Sequence, residues 1–174
     1  MECWITDPRQ DVLLLQVPAR PGKHEAFWQP ITGGIENGKT SLQAALRVIR
    51  EETGLELTDT QLTEIATDLT VVSSPRLTIS KTLYTASTPD TTVTINPHEH
   101  QNHQWLPPAR VTEALFWDSN RGAWKLVRKH HGYDDSPEHD EQRQHGSTRP
   151  SAADSPRSST TERLARVDRH DTQQ

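Results

Sequence analysis

The stretch Gly33 to Leu55, GGIENGKTSLQAALRVIREETGL, joins a glycine-rich loop to a segment with helical periodicity. Thr40 and Gln43 have the spacing of a capping box, and Gly54 stands where a helix commonly ends in a left-handed residue. Apolar residues recur every three or four positions between these ends, and no proline interrupts them. The pattern predicts one helix whose apolar stripe is centred on Ala45, Leu46 and Ile49.

Two adjacent carboxylates, Glu51 and Glu52, lie near the end of this predicted helix. At about 100° per residue they share a flank with Val48, and the position of the stripe predicts that this flank faces away from the core. Two carboxylates beside a loop that offers backbone carbonyls make an all-oxygen site of the kind that holds hydrated Mg²⁺ or Mn²⁺. The alternative is a solvated pair of glutamates near a helix terminus.

The same stretch resembles the signature of the Nudix hydrolase family at fixed spacing. The matching positions are Gly33, Arg47, Ile49, Glu51, Glu52, Gly54 and Leu55. Two positions depart from the signature: Lys39 stands in place of the first family glutamate, and Val48 in place of the glutamate that follows the arginine. In the family that second glutamate serves as a metal ligand or as a base for the attacking water. A valine provides neither function.

The resemblance covers roughly residues 12–131 and implies an α/β/α sandwich with a mixed sheet; the composition indicates that this domain occupies residues 1–133. The resemblance also implies hydrolysis of a diphosphate linked to another group, with Mg²⁺ or Mn²⁺ as the cofactor. On this reading Glu51 and Glu52 are metal ligands, and Gly33 or Gly34 contributes a backbone carbonyl. Arg47 orients the carboxylates, and Lys39 either contacts phosphate or is solvated.

The residues that lead into the glycine loop, FWQPITGGIENG, resemble the subgroup that includes dihydroneopterin triphosphate pyrophosphatases. Within them Trp28 is either a core residue or a stacking platform for a flat heterocycle. Arg20, in the preceding loop, either meets a phosphate chain or is a solvated cation. A small-molecule phosphoanhydride is therefore the expected substrate, and neither nucleic acid nor a membrane is an expected partner.

A polar loop at residues 96–103 supplies another candidate carboxylate. The family places a metal-binding or water-binding glutamate shortly before a Trp-Leu segment, and Glu99, six residues before Trp105, resembles it. We expect Glu99 to be a ligand or a base. The neighbouring histidines offer an alternative zinc site with Glu99, although no cysteine accompanies them; these histidines are His98, His100 and His103.

The remaining pattern predicts a central strand at Val12–Val17 and an edge strand beside Pro30. Strands are also expected at residues 65–72 and 77–85, which would pair as a hairpin, and at residues 93–95 and 104–106. Helices are expected at residues 108–115 and 120–131. These elements agree with the sandwich that the resemblance implies.

The last 41 residues, 134–174, contain no aromatic residue and five apolar ones, which predicts a disordered polar tail. The formal charge is −5, and the absence of a basic excess argues against nucleic acid or membranes as partners. A single cysteine and no apolar N-terminal signal favour a cytoplasmic protein.

Two functions therefore remain open at this stage. The first is a metal-dependent pyrophosphohydrolase of a nucleoside or pterin triphosphate. The second is a catalytically impaired module of the same fold that binds a nucleotide-like ligand and acts through its tail. A homodimer and a protein partner for the tail are compatible with both functions.

Overall fold

The computed structural model describes residues 1–74 and 77–133. The predicted tail, residues 134–174, lies outside the described residues. Residues Met1–Asp135 form one compact unit. In the described part of the chain, no helix is long and apolar enough to cross a membrane.

Seven strands form one mixed sheet. They are β1 (Glu2–Thr6), β2 (Val12–Val17), β3 (Phe27–Gln29), β4 (Ile31–Thr32), β5 (Thr63–Ser74), β6 (Leu77–Ser87) and β7 (Asn102–Leu106). The sheet order is β3-β2-β1-β6-β5, with β7 paired to β2 and β4 paired to β1. The pairing of β1 with β6 is parallel, whereas the other pairings are antiparallel.

Three α-helices cover the two faces of this sheet: α1 (Ser41–Thr53), α2 (Pro108–Ala114) and α3 (Asp118–His131). Strand β1 shows how the layers form, because its side chains alternate between faces. Cys3 and Ile5 pack in a core cluster with α1, whereas Trp4 packs in a second cluster with α2 and α3. The mixed sheet and the α/β/α layers confirm the predicted fold.

The central strand predicted at Val12–Val17 is confirmed, because β2 pairs with β1, β3 and β7. The hairpin is also confirmed, since β5 and β6 pair antiparallel. The strand expected at residues 93–95 is wrong: these residues form no strand. Thr94 instead donates its backbone N–H to the carbonyl of Thr53 at 2.8 Å. The sequence pattern did not predict β1, because its five residues are too few to show a clear period.

Helix α1 begins and ends where the sequence predicts. Thr40 caps its first turn in a complete capping box with Gln43, and Gly54 ends it with φ of 71°. Its buried face, however, includes Val48 and Glu52. The prediction that their flank faces away from the core is therefore wrong for these two residues, because the glycine loop and the sheet both pack against that side, whereas Glu51 is exposed as predicted.

Candidate active site

Two carboxylates and one imidazole come together where helix α1 ends. Glu52, Glu99 and His100 each place one potential ligand atom within 4.8 Å of the others. Glu52 and His100 are buried, and Glu99 is exposed. Carboxylate oxygens suit Mg²⁺ and Mn²⁺, and imidazole nitrogen is also a common ligand for transition metals. We call these three residues the acidic cluster.

Backbone hydrogen bonds hold the loop that carries Glu99 against the end of α1. Asn96 donates its backbone N–H to the carbonyl of Glu52 at 3.3 Å. The carbonyl of Asn96 in turn accepts the backbone N–H groups of Glu99 and His100, at 3.1 and 2.9 Å. The Asn96 side-chain amide also donates to Glu99 Oε1 at 3.3 Å. One asparagine therefore positions both loop members of the acidic cluster relative to Glu52.

A hydrogen bond joins the two buried members of the cluster. His100 Nε2 lies 3.2 Å from Glu52 Oε2. Burial raises the pKa of Glu52, and the charges of Glu99 and Glu51 raise it further, whereas the bond with His100 lowers it. His100 Nδ1 is buried and has no hydrogen-bond partner among the described residues. A buried nitrogen without a hydrogen-bond partner costs free energy, so His100 Nδ1 is an unsatisfied polar atom of the cluster.

Arg47 connects helix α1 to the glycine loop. Its guanidinium donates to Glu51 Oε2 at 2.7 Å and to the carbonyl of Gly34 at 3.2 Å, and it lies 3.4 Å from Glu36 Oε1. Glu51 is exposed and is not a member of the acidic cluster. The structure thus pairs Arg47 with Glu51 and separates Glu51 from Glu52, although the two are adjacent in sequence.

Gly33 and Val48 are in direct contact. A Cβ atom added to Gly33 would lie 2.6 Å from a Val48 methyl carbon, so only glycine allows the loop to approach α1 this closely. Val48 is 4% exposed and belongs to the core cluster of α1. The sequence pattern placed Val48 on a charged flank without a packing role; the structure shows that it fills the space beneath the loop. The Gly33 carbonyl accepts from the Met1 amino nitrogen at 2.8 Å.

The other predicted substrate-binding residues lie outside the acidic cluster. Lys39 is exposed and lines a shallow surface cavity with Gln43 and Arg50. Arg20 is exposed and forms a β-bridge with His24 in the loop between β2 and β3. Trp28 packs against the second core cluster, on the opposite face of the sheet from α1. Of the two roles considered for Trp28, this position favours the core.

The alternative zinc site does not assemble around three histidines. His98 is exposed in the loop, and His103 lies in β7. Among the described residues, the group that could hold a metal includes His100 but neither of the other two. Sequence reasoning considered His100 a zinc candidate and missed its contact with Glu52, because that contact joins residues 48 positions apart.

Sequence reasoning also missed a buried polar network on the other face of the sheet. Glu2 is fully buried and accepts from Lys81 Nζ at 2.7 Å, Asn120 Nδ2 at 2.9 Å and Trp4 Nε1 at 3.1 Å. Burial raises the pKa of Glu2, and Lys81 lowers it. These donors come from β1, β6 and α3, so no local pattern could have revealed the network.

The model of the NUDIX domain matches residues 2–129. The chain belongs to the Nudix family. Dihydroneopterin triphosphate diphosphatase of Escherichia coli K12 is 42% identical over 60 residues. This match covers 34% of the present chain and 37% of the relative, so it spans little more than a third of the curated relative's length.

Solved Nudix structures resemble this chain over most of its length. The dihydroneopterin triphosphate pyrophosphohydrolase of E. coli has a TM-score of 0.57 and 26% identity, covering 71% of this chain and 90% of that one. The NUDIX domain of Shewanella oneidensis NrtR, complexed with ADP ribose, has a TM-score of 0.61 and 19% identity. The match covers 75% of this chain and 85% of that one. The second likeness concerns the fold alone.

Proposed function

We propose that this Nudix protein hydrolyses a phosphoanhydride bond of a nucleoside or pterin triphosphate, in a reaction that depends on Mg²⁺ or Mn²⁺. The observation that carries the proposal is the acidic cluster, in which Glu52, Glu99 and His100 converge within 4.8 Å. The partial match to dihydroneopterin triphosphate diphosphatase supports a pterin triphosphate as the substrate. Water is the nucleophile and phosphorus is the atom attacked.

The residues of the cluster fit a divalent cation. Glu52 and Glu99 would hold it through carboxylate oxygens, and the unpartnered His100 Nδ1 leaves the imidazole able to contribute. A set that includes nitrogen suits Mn²⁺ better than Mg²⁺, which prefers oxygen alone. Once bound, such a cation neutralises phosphate charge and lowers the pKa of its water.

The protein's own groups then take distinct roles. Glu52 is fixed by His100, so its carboxylate is held in one orientation. Glu99 is the exposed carboxylate of the cluster, and we assign to it, in addition to its place as a ligand, the base that activates water, because Val48 cannot act as one. Arg47 holds the glycine loop against α1 through Gly34, and the loop would meet the phosphate chain. Lys39 and Arg20 are exposed cations that could also contact the phosphate chain of the substrate.

Release of pyrophosphate and phosphate from a panel of nucleoside and pterin triphosphates, with Mg²⁺ and with Mn²⁺, tests this proposal. Glu52→Gln is expected to lower turnover roughly 10²- to 10⁴-fold, the range typical of lost catalytic carboxylates. Glu56→Gln is the matched control, because Glu56 is exposed and lies beyond the end of α1.

Metal-dependent turnover that survives in Glu52→Gln would contradict the assignment of the cluster. Absence of turnover in the parent with every metal and substrate would contradict the enzyme itself. In that event, measured binding of a nucleotide-like ligand would favour the alternative binding module. A homodimer and a partner for residues 134–174 stay predictions.

A further inference from the structure

Two exposed aromatic side chains stand together beside β3. Phe116 is 44% exposed and Trp117 is 47% exposed, and their ring centroids are 4.8 Å apart with the rings edge to face. Both contact the ring of Phe27, at 4.9 and 5.7 Å. The other large exposed apolar side chains of the described residues are separate from one another: Ile35 lies in the glycine loop, Ile79 in β6 and Leu126 in α3. We call Phe27, Phe116 and Trp117 the aromatic patch.

The backbone of the patch is well anchored. Leu115 forms a bridge with Trp28, and Phe116 donates its backbone N–H to the Trp28 carbonyl at 3.4 Å. The segment between α2 and α3 therefore runs along the outer edge of β3. His24 packs edge-on against Phe27 at 5.0 Å and supports it from the neighbouring loop. Exposed aromatic rings on a fixed backbone are suited to binding a ligand, because little conformational entropy is lost when the ligand binds.

The patch lies on the same face of the sheet as helix α1. Leu15 packs in the α1 core cluster, and Val17, two residues later on β2, points to the same face. Phe27 is the cross-strand partner of Val17, so its side chain shares that face. The acidic cluster is formed at the end of α1, so both sites are on this side of the sheet.

Strand register also gives the spacing between the backbone of Phe27 and the backbone that follows His100. Phe27 flanks Val17 on one edge of β2. On the other edge Gln101, which follows His100, donates its backbone N–H to the carbonyl of Gln16 at 2.9 Å. Two strand spacings therefore separate Phe27 from the loop of the acidic cluster, which is roughly 10 Å. A ring joined to a short phosphate chain spans such a gap.

Charge near the patch matches this kind of ligand. Arg20 and Lys23 are exposed in the loop whose His24 supports Phe27, and neither cation forms a salt bridge within the described residues. Aromatic faces with neighbouring cations are the combination that binds bases and their phosphates. A ligand without a ring would leave the aromatic faces unused.

We propose that the aromatic patch is the subsite for the planar heterocycle of the substrate, with Trp117 as its stacking platform. This inference rests on the proposed function and deepens it, because it names the residues that bind the ring of the nucleoside or pterin triphosphate. Inorganic polyphosphates and phosphorylated sugars without a base are excluded as preferred substrates.

The test is calorimetric binding of neopterin, GMP and AMP to the full chain, with inorganic pyrophosphate as the probe without a ring. Neopterin, GMP and AMP contain no phosphoanhydride bond, so their binding is measured without hydrolysis; pyrophosphate contains one such bond. Trp117→Ala is expected to weaken binding of the ring-bearing probes about tenfold or more, within the range of stacking contributions. Trp117→Phe keeps a ring and is expected to retain most of the affinity, and pyrophosphate binding is expected to stay unchanged.

Leu126→Ala is the control for loss of an exposed apolar side chain on α3, and Phe116→Leu is a second test variant should Trp117→Ala fold poorly. Equal affinity of Trp117→Ala and the parent for neopterin and GMP would overturn the inference. So would a parent that binds no ring-bearing probe, or a parent dimer that Trp117→Ala converts to monomers, because a second copy would then cover the patch.

These outcomes are separable from failure of the proposed function. Ring binding that depends on Trp117, without turnover of any triphosphate, would support the subsite and contradict the hydrolase. Turnover with equal kcat/KM for GTP and inorganic tripolyphosphate would support the hydrolase and overturn the subsite.

Discussion

Gly33 and Val48 show at the residue scale how a departure from the family signature is accommodated. Val48 stands where the signature has a glutamate, and its side chain fills the space that Gly33 leaves open. The substitution replaces a polar group near the loop with a core contact. The glycine loop is therefore fixed to α1 by packing as well as by Arg47.

Gly33→Ala is expected to destabilise the protein by about 1–3 kcal/mol, because the new Cβ would lie 2.6 Å from a Val48 methyl carbon. Gly34→Ala is the neighbouring control, since a Cβ there meets nothing within 4 Å. Urea unfolding of both variants measures the difference. Equal stability would mean that the contact relaxes without cost.

Lys81 neutralises the buried carboxylate of Glu2. Lys81→Met is expected to destabilise the protein by roughly 3–5 kcal/mol near neutral pH, because a buried charge then lacks its partner. Lys125→Met, on the exposed face of α3, is the control. Chemical denaturation at several pH values measures both variants.

The pH dependence of this loss has a definite sign. Burial already raises the pKa of Glu2, and removal of Lys81 raises it further. A carboxyl group whose pKa is higher in the folded than in the unfolded state binds its proton more tightly in the folded protein. The protein is therefore destabilised as the pH rises from the unfolded-state pKa through the folded-state pKa. The difference in free energy of unfolding between Lys81→Met and the parent is therefore expected to become smaller towards acid pH. A constant difference would contradict this account.

At the scale of elements, helix α1 positions the site through its two ends. Thr40 and Gln43 cap its start, and Gly54 ends it in a left-handed turn. Two backbone hydrogen bonds attach the loop that carries Glu99 and His100 to that end. The N–H groups of Thr94 and Asn96 donate to the carbonyls of Thr53 and Glu52. The position of the acidic cluster thus depends on where α1 stops.

Thr40→Ala is expected to lower the free energy of unfolding by about 1 kcal/mol, because one N–H of the first turn loses its acceptor. Thr40→Ser keeps the oxygen and is expected to match the parent. Thermal and urea unfolding compare the two. A stable Thr40→Ala would show that water satisfies the first turn equally well.

At the scale of the whole molecule, two core clusters pack on opposite faces of the sheet, and the candidate site lies on only one of these faces. The cluster of α1 supports the glycine loop and the acidic cluster, and the cluster of α2 and α3 surrounds Trp4 and Trp124. The second face carries the Glu2 network, which joins β1, β6 and α3.

A chain ending at Asp135 is expected to unfold with the same free energy as the full chain, because the compact unit Met1–Asp135 contains both core clusters. Turnover is expected to be retained as well. Urea unfolding and the triphosphate panel measure these two properties. A loss of stability or of turnover would give residues 136–174 a role in the domain.

The sequence by itself determined helix α1 and its caps, the central strand β2, the β5–β6 hairpin and the family. These features follow from local periodicity and turn chemistry, or from fixed spacing along the chain. It also predicted Glu52 and Glu99 as site carboxylates, and the structure places them together.

Tertiary structure decided the rest. It separated Glu51 from Glu52, brought His100 to Glu52 across 48 residues, and buried Val48 beneath the glycine loop. It also joined Phe27 to Phe116 and Trp117, which lie about 90 positions later in the chain. Contacts between residues far apart in sequence depend on strand order and helix packing, and no pattern along the chain encodes those distances.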